Sequence, residues 1–149
     1  MTSNNFISRA PANPDSEPSG AGLPFFGESV AAGFPSPAEG DLRGCLDLNQ
    51  LCITNPTATY FVRARGDSMI DAGIYDGDIL VVDRSVEARS GSIIIAAIGG
   101  EFTVKILDRH GKHVRLLPAN PGFQPITITP DLQAEMFGVV TYVVHKLSK

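Results

Sequence analysis

The sequence predicts a mainly β domain of short, strongly twisted antiparallel strands behind a flexible N-terminal arm. Three observations carry this prediction. Six of the 11 prolines fall within residues 1–40. Residues 41–149 are instead rich in Val, Ile and Leu, cut at short intervals by Gly-containing turns. The apolar runs are short, with the length and β-branched character of strands.

The arm comes first. Pro11, Pro14, Pro18, Pro24, Pro35 and Pro37 are spread through it, with five glycines and no lysine. Proline fixes its own φ and biases the preceding residue away from helix, so regular structure cannot run far here. Arg9 is the only basic residue of residues 1–40, against Asp15, Glu17, Glu28 and Glu39. This composition gives an extended, mobile segment.

From residue 41 the pattern changes. Asp47 to Cys52 is the one helical stretch, with Leu48, Leu51 and Cys52 on one face. Tyr60 to Arg65 alternates in the period-2 manner of a half-buried strand. Ile79 to Asp83 is a short apolar strand after the turn residues Asp76-Gly77-Asp78. Ser92 to Ile98 and Glu101 to Leu107 flank Gly99-Gly100, a hairpin signal because type I′ and II′ turns need positive φ. His113 to Leu117 follows a second turn at His110-Gly111-Lys112, and Phe137 to Val144 is the last strand.

Composition excludes several classes of function. The 149 residues carry a formal net charge of -4, and the pI is near 5.2. The eight arginines are scattered, which argues against a protein built to grip phosphates. No apolar run approaches a membrane span, and the N-terminus lacks the basic and apolar regions of a secretory signal. Cys45 and Cys52 are too few for a disulfide scaffold and fit a reducing compartment. With His110, His113 and His145 they have no zinc-site spacing, so the histidines are expected to be solvated. Asp71, Asp76 and Asp78 lack the ligand pattern of a calcium loop. No metal or cofactor is expected.

Two residues stand out chemically. Ser68 follows a strand and a glycine, where a hydroxyl can be exposed among backbone N–H groups. Ser68-x-x-Asp71 also matches a helix N-cap with an acid at N3, the commoner meaning of that spacing. Lys105 is the only one of four lysines placed mid-strand, in phase with Thr103 and Leu107. On a solvated face it is an ordinary surface lysine. On a buried face, desolvation lowers its pKa, and a neutral lysine can take a proton from a serine hydroxyl.

Gly66-Asp67-Ser68-Met69-Ile70-Asp71, then Asp76-Gly77-Asp78 and Glu101-Phe102-Thr103-Val104-Lys105, resembles the LexA/UmuD family of self-cleaving serine–lysine peptidases, with UmuD the nearer branch. Gly33-Phe34-Pro35-Ser36-Pro37, Asp47 to Leu51, Ala58 to Val62 and Phe137 to Val140 extend the resemblance from about Ala32 to the C-terminus. It implies a compact peptidase domain over 41–149, with Ser68 as nucleophile and Lys105 as general base. The bond cut would be Ala32–Gly33, in the chain's own arm. It further implies a homodimer in the bacterial cytoplasm and activation by a RecA filament on single-stranded DNA. The processed form would partner the Y-family catalytic subunit of DNA polymerase V in error-prone translesion synthesis during the SOS response. Neither sequence-specific nucleic-acid binding nor membrane contact is implied.

Two other readings stand beside this one. A LexA-like or phage repressor would need a DNA-binding helix-turn-helix before the cleavage site, and the Pro-rich arm is a poor source of one. A non-catalytic dimeric interaction module would have no need to keep Ser68, Lys105 and Ala32–Gly33 together.

Overall fold

A computed structural model describes residues 22–26, 30 and 42–148. The chain divides between Thr54 and Asn55 into two units. In the first, β1 (Leu23–Phe26) pairs antiparallel with β2 (Leu42–Leu46), Leu23 opposite Leu46. Neither strand was expected. Pro24 demotes its segment as a strand candidate, but in a two-stranded ribbon both strands are edges, where a missing N–H is tolerated. The expected helix is α1 (Leu48–Cys52), capped by the Asp47 carboxylate, which accepts from the Asn49 N–H at 2.9 Å. Leu48 and Leu51 stay exposed, since little more than one helical turn has little face to bury.

The second unit is a seven-stranded antiparallel sheet. Its strands are β3 (Thr59–Arg63), β4 (Ile79–Asp83), β5 (Ile93–Ile98), β6 (Glu101–His110), β7 (His113–Leu117), β8 (Ile126–Thr127) and β9 (Ala134–Val144). The order across the sheet is β3-β4-β9-β5-β6-β7-β8. The mainly β prediction is borne out, and each strand read from the sequence is present. The two-residue β8 escaped notice because it is too short for periodicity to register. Among the described residues no helix is long and apolar enough to cross a membrane.

The β5–β6 hairpin closes at Ile98 opposite Glu101. Gly99 and Gly100 both have positive φ, +58° and +84°, which is the type I′ requirement. β5 is buried on both faces. Ile95 belongs to one core cluster, with Ala64, Met69, Ile74, Leu80 and Val82. Ile94 and Ala96 belong to another, with Ala88, Leu107, Leu116 and Val139. Double burial explains why this strand reads as a continuous apolar run rather than an alternation.

β9 carries the bends. Its register shifts once against β4, between Val81 and Val82, and once against β5, between Ile95 and Ala96. Gly138 sits between them at φ +147°, where a Cβ would lie 2.7 Å from Val82 Cγ1. Such bulges increase local twist. Twist matters here, because three strands separate β3 from β6. A flat sheet would hold those two strands ~19 Å apart. The loop leaving β3 nevertheless brings Ser68 to Lys105 of β6, which a flat sheet would keep apart.

One expectation is corrected. His145 is not simply solvated: its Nδ1 bonds the carboxylate of Asp78, which is only 3% exposed. A buried carboxylate requires partners. Asp78 finds a second in the Tyr75 N–H at 2.8 Å.

Candidate active site

Ser68 lies in the loop that leaves β3. The Ala64 N–H donates to the Asp78 carbonyl at 2.8 Å, and the Gly77 N–H donates back to the Ala64 carbonyl at 2.9 Å. The Asp76 carboxylate accepts from the Gly66 N–H at 2.7 Å. These bonds tie the start of the loop to the Asp76-Gly77-Asp78 turn. Met69, immediately after Ser68, is buried at 2% exposure and anchors the loop in the core.

The helix-cap reading of Ser68 does not hold. The short 3-10 turn that follows is Ile70–Ala72, its cap position is Met69, and no side chain caps it. Ser68 Oγ instead accepts from Lys105 Nζ at 3.2 Å. The surface reading of Lys105 fails as well, since the residue is 8% exposed. It stands opposite the buried Ile94 across the β5–β6 pair.

Lys105 Nζ has three acceptors: Ser68 Oγ, Thr103 Oγ1 at 2.9 Å and the Val104 carbonyl at 3.0 Å. An ammonium has three N–H donors, so this set satisfies it fully. A neutral amine has two donors and a lone pair. Thr103 and Val104 then take the two N–H groups, and the lone pair is left for the Ser68 hydroxyl to donate into. Burial lowers the Lys105 pKa from its ordinary value, because desolvation disfavours the ammonium. The same three atoms therefore hold either protonation state, and environment favours the neutral one more than water does.

A cleft of about 620 Å³ opens at Ser68. Tyr60, Val62, Leu80, Ile95, Phe102 and Phe137 give it apolar walls, and Arg63, Arg65 and Arg84 also line it. Phe102 and Phe137 stack edge to face at 5.0 Å, and the Tyr60 hydroxyl donates to the Phe137 carbonyl at 2.8 Å. The Arg84 guanidinium lies 5.7 Å from the Tyr60 ring centroid. Arginines that look scattered in sequence thus share one cleft. A mostly apolar cleft with a few polar groups in its lining is the usual make-up of a binding site.

The sequence matches the Peptidase S24-like family over residues 24–141. The chain belongs to that family. Protein SamA of Salmonella typhimurium is 46% identical over 133 residues, which cover 89% of this chain and 92% of the relative. Protein MucA of Escherichia coli is 47% identical over 121 residues, covering 80% and 82%. A LexA repressor of Dechloromonas aromatica is 40% identical over 132 residues, covering 85% of this chain and 65% of the repressor. The resemblance to the LexA/UmuD family is thereby borne out. With it stands the coarser functional reading, a self-cleaving S24 serine peptidase of the UmuD type that serves SOS mutagenesis.

Of the residues singled out from the sequence, Ser68 and Lys105 meet. Ala32 and Gly33 lie outside the described residues. Sequence reasoning placed Thr103 in phase with Lys105 without giving it a role, although that phase is the signal that puts its hydroxyl within reach of Nζ. Asn120, whose side chain reaches the Ser68 loop, left no local signal, because its partner is distant in sequence.

Proposed function

We propose that Ser68 and Lys105 cut the chain's own Ala32–Gly33 bond. The observation that carries this is the 3.2 Å approach of Lys105 Nζ to Ser68 Oγ in the cleft. Neutral Lys105 takes the Ser68 proton as Oγ attacks the Ala32 carbonyl carbon. The backbone N–H of Ser68 donates to the oxyanion that forms. The C–N bond then breaks, and the ammonium of Lys105 returns its proton to the Gly33 nitrogen as that amine leaves. Water, deprotonated by the same amine, attacks the Ala32 acyl ester and regenerates Ser68. Ala32 and Gly33 are small, which lets an extended strand enter a tight cleft and offer its carbonyl.

Tethering supplies the substrate at an effective concentration of ~mM for a flexible link. Intact chain accumulates only if the arm is mostly displaced at rest. A RecA filament on single-stranded DNA acts by preferring the docked state, since differential affinity is what shifts such an equilibrium. The processed homodimer then works with the Y-family subunit of DNA polymerase V in the bacterial cytoplasm.

The test is incubation of purified protein with RecA, a nucleotide triphosphate and single-stranded DNA, beside Ser68→Ala and Lys105→Ala. Wild type alone is expected to give fragments of 32 and 117 residues. Wild type that stays intact under every condition, alkaline pH included, overturns the proposal.

A further inference from the structure

The Ser68 loop is gripped by the segment that follows β7. The Ala119 N–H donates to the Ser68 carbonyl at 2.7 Å, and the Ala119 carbonyl accepts from the Asp71 N–H at 2.8 Å. Asn120 Nδ2 donates to the Asp67 carbonyl at 2.8 Å, across 53 positions of sequence. Asn120 Oδ1 accepts from the Gly122 N–H at 2.9 Å. One partner is an acceptor and the other a donor, so the side-chain amide fits in one orientation only.

We propose that Asn120 is a positioning residue for self-cleavage, fixing the Ser68 hydroxyl against Lys105 and the direction of the Ser68 N–H. This rests on the reading of Ser68 as the nucleophile. Of the three bonds that join residues 119 and 120 to residues 67–71, only the one from Asn120 comes from a side chain. The other bond to the Asp67 carbonyl, from the Ile70 N–H, is long at 3.4 Å. Gly66, two residues before Ser68, is held through its own N–H by the Asp76 carboxylate at 2.7 Å, and that bond does not reach the Asp67–Ser68 peptide. Asn120 is therefore the short tether on the peptide that enters Ser68. In a trans peptide the C=O and N–H point in opposite directions. With the Asp67 carbonyl turned toward Asn120, the Ser68 N–H must point away from it. Among the described residues no backbone hydrogen bond occupies that N–H. Releasing the tether lets both the hydroxyl and this donor wander, and a displacement of ~1 Å can cost about 100-fold in rate.

Asn120→Asp separates this role from the support of the local turn. It keeps an oxygen for the Gly122 N–H and replaces the donor to the Asp67 carbonyl by a carboxylate oxygen, which repels that carbonyl. The experiment uses full-length chain and two rates: self-cleavage at alkaline pH, and labelling of Ser68 by a fluorophosphonate, which needs no docked arm. Asn120→Asp and Asn120→Ala are expected to slow both rates by about 10- to 100-fold, with far-UV circular dichroism unchanged. Wild-type rates in Asn120→Asp overturn the inference. So does slow cleavage with normal labelling, which would place the defect in the arm rather than at Ser68. If Asn120→Ala fails to fold, Asn120→Asp decides. Wild type that labels no faster than Ser68→Ala overturns the nucleophile reading itself, and this inference with it.

Discussion

Lys105 Nζ stands 3.2 Å from Ser68 Oγ, two side chains 37 positions apart in the chain. The lysine comes from the middle of a strand and the serine from a loop, and the strands that lead to them are not sheet neighbours. The contact therefore depends on the tertiary structure, and its chemistry depends on how far the lysine is desolvated.

The rate of self-cleavage should rise with pH. Only the neutral amine accepts the serine proton, so below the Lys105 pKa each pH unit gives about a tenfold gain, because the neutral fraction grows tenfold. Burial lowers that pKa, so the rate should level off before the 10.5 of an unperturbed lysine. Half-times for loss of intact chain between pH 6 and 11, without RecA, measure the profile. A flat profile would remove Lys105 as the base.

Lys105 should also cost stability. In the folded chain its pKa lies below that of the unfolded chain. Between the two values the unfolded state binds the extra proton, so stability rises with pH across that window. Below it the full desolvation cost is present, and above 10.5 it has vanished. Lys105→Met should abolish cleavage yet stabilise the fold by about 1 kcal/mol at neutral pH, the scale of a single stabilising substitution. Urea titrations at pH 7 and near pH 11 check this, and the gain should shrink at the higher value.

The strands were legible wherever turn residues bracketed them. Gly99-Gly100 marked the β5–β6 hairpin, and Asp76-Gly77-Asp78 marked the start of β4. β1 was hidden by Pro24, and β8 by its two-residue length. At the site, Ser68 and Lys105 were visible as residue types in unusual places. The sequence left Lys105 with a solvated and a buried option, because burial of a strand face depends on what packs over it. Asn120, Asp76 and the His145–Asp78 bond were not legible, since each joins segments that are neighbours only after folding.

Gly138 should tolerate no side chain. Its φ of +147° disfavours an L-residue, and a Cβ would meet Val82 Cγ1 at 2.7 Å. Val82 is fully buried in the first core cluster and has no room to yield. Gly138→Ala should destabilise the fold by about 1–3 kcal/mol, the cost of overpacking a tight core. Equilibrium urea unfolding measures it. An effect within ~0.5 kcal/mol, typical of surface positions, would mean that β9 can shift at this bulge.

Asp78 and His145 should make stability sensitive to acid. Burial alone would raise the Asp78 pKa, but the Tyr75 N–H and the His145 ring outweigh it and hold the carboxyl below its ordinary value of 3.8. Below 3.8 the unfolded chain takes up this proton first, so stability falls as pH drops through the folded pKa. The stabilisation is fully present above the unfolded value. His145→Ala removes a hydrogen bond to a buried charge and should cost about 1.5–3 kcal/mol at pH 6. Once Asp78 is protonated that penalty should shrink, because the charge that needed the ring is gone. Urea midpoints for wild type, His145→Ala and Asp78→Asn between pH 2.5 and 6 separate the contributions. Asp78→Asn should show the weakest acid dependence of the three, and a wild-type curve parallel to it would show that this carboxylate does not govern acid stability.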